Sequence, residues 1–233
     1  MTFPVTARVP LDVEAVLYLV LVAVLMPLVA IRGRLALADE REETRPRART
    51  RVLSDAVLVQ VALFVVSVVV ARSHRMALWS PAHLGGREIA VGIAALLVVM
   101  GVGVLSWRLR SPAERRQMWV RHLLPRTPLQ WGLWLVVSIA AGVSEETAYR
   151  GVVVVLLGSL TASFVVAAVL SAVVFALVHY PQGGKSMALV FAIALVMQAL
   201  VSVTGTLYVA MGVHAAYDLT AWSVERWAFG VGR

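Results

Sequence analysis

The chain has 233 residues and a mass of 25.2 kDa; 60% of its residues are apolar, 15% are charged, and mean hydropathy is +0.84. A water-soluble domain carries roughly 45–50% apolar and about 25% charged residues, so this composition excludes a soluble globular enzyme, and with no charged low-hydropathy tract or long heptad run it excludes a disordered chain or a coiled coil. The formal charge of +8 comes from 21 basic and 13 acidic residues, and thirteen of the arginines cluster in 32–51 or 108–126, beside apolar runs, a pattern that orients membrane spans and not one that binds nucleic acid. Cysteine is absent, which excludes disulfides, thiolate metal sites, a cysteine nucleophile and a lipidated cysteine.

A hydrocarbon layer about 30 Å thick takes roughly 20 apolar residues per helix. In chain order, Val13–Ile31, Leu53–Ala71 and Ile89–Trp107 predict three spans, and Leu129–Val143 predicts a fourth that ends in a pair of carboxylates. Gly151–Leu160 is short, Ala162–Tyr180 is full length, and Met187–Val203 and Thr206–Ser223 complete the series. The expectation is an all-α fold: a polytopic membrane helical bundle of about eight transmembrane helices, forming one integral membrane domain over residues 1–233. A basic run follows the first span where a cleavable signal would show small residues, so that span is expected to stay. The segment 32–51 mixes seven arginines with Asp39, Glu40, Glu42 and Glu43 and reads as a solvated loop or short surface helix. The breakers are Gly85-Gly86, Pro125–Pro128 and Pro181–Gly184. Basic residues are richer in the first and third loops than in the second, which places those two loops inside and the amino terminus outside.

A charge at the centre of a span costs about 2.5–3.5 kcal/mol on insertion scales, so each ionisable residue there needs a reason. They are few: Glu145, Glu146 and Arg150 around the end of the fourth span, His179 near the end of the sixth, and His214 and Asp218 within the last. Glu146 and Arg150 stand four apart, on one helical face, where they can neutralise each other. Glu145 is turned by about 100° and is left free. Paired carboxylates in a low-dielectric pocket suit general acid–base work, although a buried ion pair that only fixes packing reads equally well. Phe175 and His179 repeat the four-residue spacing, as do His214 and Asp218, so Asp218 can orient His214 or share a proton with it. The pattern H-E-x-x-H is missing, and any metal would have to be gathered from separate helices.

Glu145-Glu146-x-x-x-Arg150, then Phe175-x-x-x-His179, then His214-x-x-x-Asp218, in that order on late helices, resembles the CPBP family, which comprises CAAX prenyl endopeptidases and the bacteriocin-associated Abi proteins. The resemblance covers about 125–222. It implies an intramembrane endopeptidase, of the metalloprotease or the glutamate-protease type, in which Glu145 activates water with help from His179. Glu146 contributes to the pocket, Arg150 holds the glutamates, and His214 with residue 218 stabilises the oxyanion. Phe175 is a supporting residue. The family's third motif usually ends in asparagine, whose amide donates a hydrogen bond that Asp218 can donate only when protonated. The implied cofactor is open between a divalent metal such as zinc and none. The implied partners are a peptide or protein substrate in the membrane and the bilayer itself, with no nucleic acid. The implied location is the cell membrane, a bacterial plasma membrane. A catalytically silent immunity or scaffold protein of the same fold is the alternative, and a small proton-relaying transporter a third reading.

Overall fold

The computed structural model describes residues 9–39, 45–79, 84–116, 118 and 123–229; residues 40–44 of the charged segment lie outside the described residues. Every regular element among them is helical. Asp12 opens α1 (Val13–Val20) by accepting the Ala15 N–H at 3.0 Å, and the rod continues through a π-helical turn, Leu21–Leu25, into α2 (Met26–Asp39). Then come α3 (Arg45–Ser73), α4 (Gly86–Arg108) and the short α5 (Pro112–Arg116). Thr127 caps α6 (Pro128–Glu145), which has proline in its first turn. Ser163 caps α8 (Phe164–Val178), and Gly205, at φ +67°, closes α9 (Gly184–Thr204) before α10 (Leu207–Phe229).

Two of the eight stretches expected to cross separately share one helix. α6 runs without interruption through a π-helical segment, Glu146–Val153, into α7 (Val154–Thr161). The charges of 145–150 lowered the local hydropathy and so resembled a boundary, but burial and mutual pairing keep them inside the rod. Among the described residues, four helical stretches are long and apolar enough to cross a membrane: Val13–Arg32, Arg49–Ser73, Gly86–Arg108 and Gly184–Thr204.

α6 is the axis of the bundle, packing against α3 on one side and α10 on another; α10 also meets α4, and α9 meets α8 and α4. Gly142 lets α6 and α10 touch, since a Cβ there would stand 2.7 Å from the Met211 carbonyl oxygen and 3.0 Å from the Ala215 nitrogen. A buried Tyr18 hydroxyl donates at 2.7 Å to Ser67 Oγ, which itself donates to the Leu63 carbonyl, tying α1 to α3. The outer surface is apolar: Val13, Leu58, Leu97 and Val165 are each about two-thirds exposed or more. Such a belt suits acyl chains and would not stay dispersed in water.

Candidate active site

The site grows from the π-helical segment of the central rod. A π turn closes i→i+5 bonds and bulges from the regular helix, and such turns occur frequently at functional sites. Thr147 Oγ1 donates to the Val143 carbonyl at 2.8 Å, and Ser171 of α8 donates to the Tyr149 carbonyl at 2.7 Å, so these carbonyls keep partners despite the irregular winding. All eight residues from Glu146 to Val153 are buried.

Within this segment Glu146 is fully enclosed. Its Oε1 lies 3.1 Å from Arg150 Nη1, the pairing expected from the spacing, and accepts the Nδ1 proton of His214 at 2.7 Å. The Arg150 guanidinium lies 4.5 Å from the centre of the Phe175 ring, a cation–π contact. Phe175 is a hub: its ring is 4.8 Å from those of Tyr149 and His179 and 6.3 Å from that of His214. One acid, one arginine and one aromatic ring thus tie α8 and α10 to the central rod.

Glu145 faces away from this pair, as its 100° rotation requires, and is not free. Gln60 of α3 donates to its Oε1 at 2.6 Å, while the Gln60 carbonyl oxygen accepts from Ser144 Oγ, which fixes which end of the amide points where. The second oxygen, Oε2, is 3.7 Å from His214 Nε2. Gln60 was missed because only ionisable residues were weighed; its signal was a lone amide within an otherwise apolar stretch of the second span.

His179 Nδ1 is 2.9 Å from the Phe175 carbonyl oxygen. A carbonyl only accepts, so Nδ1 carries the proton and Nε2 holds its lone pair outward. Asp218 Oδ2 is 3.8 Å from His214 Nε2, beyond hydrogen-bond reach, so the acceptor that orients the His214 ring is Glu146 and not, as expected from spacing, Asp218. A neighbouring helix supplies that acceptor, which spacing along α10 cannot reveal.

A cavity of about 320 Å³ opens onto this cluster. Glu145, His179, His214 and Asp218 line it, as do Arg150 and Phe175, while Glu146 stands behind its wall. Around His214 Nε2 stand Glu145 Oε2 at 3.7 Å and Asp218 Oδ2 at 3.8 Å, one imidazole and two carboxylates, which are donor types that a divalent ion takes. Elsewhere, the donor atoms of Asp12, Glu14 and His74 lie within 4.8 Å of one another where α1 begins and α3 ends, and none of the three lines the cavity.

Residues 127–220 match the family model described as Type II CAAX prenyl endopeptidase Rce1-like. No curated protein and no solved structure matches the chain. The matched segment takes in the central rod, α8, α9 and the part of α10 that carries His214 and Asp218. Over this segment, less than half of the chain, the protein is similar to the type II CAAX prenyl endopeptidases, and its apolar helices support a multi-pass membrane protein.

Proposed function

We propose that the chain is an intramembrane endopeptidase that hydrolyses peptide bonds of membrane-associated or lipidated peptides, with Glu145 as the general base. The observation that carries this reading is the division of labour between two adjacent carboxylates: Glu146 is consumed by Arg150 and His214, while Glu145 faces the cavity with His179. Water held between Glu145 and His179 Nε2 loses a proton to Glu145 as its oxygen attacks the scissile carbonyl. Nε2 of His179 accepts a hydrogen bond from the O–H that stays on the attacking oxygen and so aims its lone pair. With its Nδ1–H held by Glu146, His214 as imidazolium donates its Nε2–H to the developing oxyanion, and Asp218 donates in its protonated form. The proton on Glu145 then passes to the leaving amine as the C–N bond breaks, restoring the carboxylate.

A divalent ion, if held by His214, Glu145 and Asp218, would supply Lewis-acid polarisation of the same carbonyl. The central rod, α8 and α10 join the four long apolar helices in crossing the bilayer, and residues 1–233 act as one membrane domain. Substrates reach the cavity from the lipid phase, and a bacterial plasma membrane is the setting proposed for them.

General acid–base catalysis contributes about 10²–10⁴-fold, and that is the loss expected for Glu145→Gln and for His179→Ala, measured as cleavage of membrane-anchored peptides by protein in vesicles, with insertion and melting unchanged. Full activity in both variants would end the protease reading.

A further inference from the structure

Arg110 lies just past the end of α4 and is 93% buried, yet it has no carboxylate partner among the described residues. Its one side-chain hydrogen bond is from Nη2 to Ser186 Oγ, 3.0 Å away at the start of α9, and its Nε–H has no acceptor. Three residues earlier, and so on the same side of the chain, the Trp107 indole N–H is also buried without an acceptor. Arg110, Trp107 and Ser186 line the same cavity as Glu145 and His179. Two unanswered donors and one uncompensated positive charge therefore face the chamber that holds the hydrolytic cluster. A buried guanidinium without a counter-charge is costly, and water in a narrow cavity replaces an anion poorly.

The surroundings hold the cation in place. Arg115 stacks its guanidinium 3.8 Å from the centre of the Trp107 ring and donates to the Trp107 and Arg108 carbonyls, closing the end of α4. Glu114, the acid next in sequence, pairs with Lys185 at 2.6 Å, an ammonium that with Ser111 holds its carboxyl down to about 2, so it is not a counter-ion for Arg110. Met118, Leu189 and Val190 also line the cavity and offer no means of reading a polar side chain.

Building on the endopeptidase reading, we propose that Arg110, with Ser186 and the Trp107 N–H, binds the terminal carboxylate of the peptide substrate. A planar guanidinium takes a carboxylate in two parallel charge-assisted hydrogen bonds. The aliphatic part of the wall selects no particular residue, whereas every peptide that ends inside the cavity brings one terminal carboxylate whatever its sequence. Arg110 is thus a specificity residue that registers the chain end and sets which bond reaches Glu145.

The test uses full-length protein carrying Glu145→Gln, in nanodiscs, and two degenerate pools of acylated hydrophobic peptides that differ only in a free or amidated carboxy terminus. The expected result is at least about tenfold greater retention of the free-acid pool, erased by Arg110→Gln and partly kept by Arg110→Lys, with melting temperatures matched. Equal retention of both pools, retention of neither, or an acid preference that survives Arg110→Gln overturns the proposal. So does enrichment of amidated peptides bearing internal Asp or Glu, or an Arg110 effect confined to nanodiscs with phosphatidylglycerol, which would assign the cation to side chains or to lipid phosphate. Acid-selective retention combined with no cleavage by the unsubstituted protein would instead leave this site standing and remove the protease.

Discussion

Glu146 and Glu145 share a residue type and a sequence address but have opposite duties. Glu146 answers two buried cationic or donor groups at once, Arg150 and the His214 Nδ1–H, from a position with no access to solvent. Removing one member of a buried pair leaves the other charge uncompensated and costs about 3–5 kcal/mol. Glu146→Leu is therefore expected to lower the unfolding free energy in mixed micelles by roughly that amount, and Glu146→Leu with Arg150→Leu to recover part of it, because the double variant buries no lone charge. Glu145→Gln is expected to leave the same unfolding curve nearly unchanged, since the new amide can still accept from Gln60. A loss of stability as large for Glu145→Gln as for Glu146→Leu would contradict this division.

At the scale of helices, what brings these side chains together is a close approach. Gly142 sits one turn before Glu146, and Ala215 follows His214, so the contact of α6 with α10 sets the carboxylate–imidazole distance. Gly142→Ala would push on backbone atoms that cannot yield, whereas Gly132, on the same helix, has open space around it. Gly142→Ala is expected to lower kcat/KM at least tenfold with a lowered Tm, and Gly132→Ala to keep both or raise Tm slightly, as alanine favours a helix. Hydropathy made most of these helices legible, because lipid demands long apolar runs, and the motif spacings placed Arg150 beside Glu146. Contacts between helices were not legible: Gln60 reaching Glu145, Glu146 reaching His214, and Gly142 against Met211 all join residues far apart in sequence. Arg110 was misfiled for the same reason, counted among loop arginines that orient spans although it turns into the cavity.

Taken whole, the molecule has an apolar exterior and a polar centre reached through one central rod. From Pro128 to Thr161 that rod measures roughly 50 Å at about 1.5 Å rise per residue, against a hydrocarbon thickness of about 30 Å. On the proposal that the rod crosses the bilayer, a helix so much longer than the hydrocarbon layer must tilt, project beyond the headgroups, or thicken the lipid around it. Vesicles of stepped acyl length are therefore expected to give a hydrolysis optimum, with rates falling several-fold on either side as Glu145 shifts in depth relative to the anchored peptide; a flat profile would refute this dependence. The residue pair at 145 and 146 falls near the rod's midpoint, so a change of tilt about that point displaces the ends most and leaves the proposed general base nearest the pivot. Membrane thickness would then act as a ruler, deciding how far from its lipid anchor a peptide is cut.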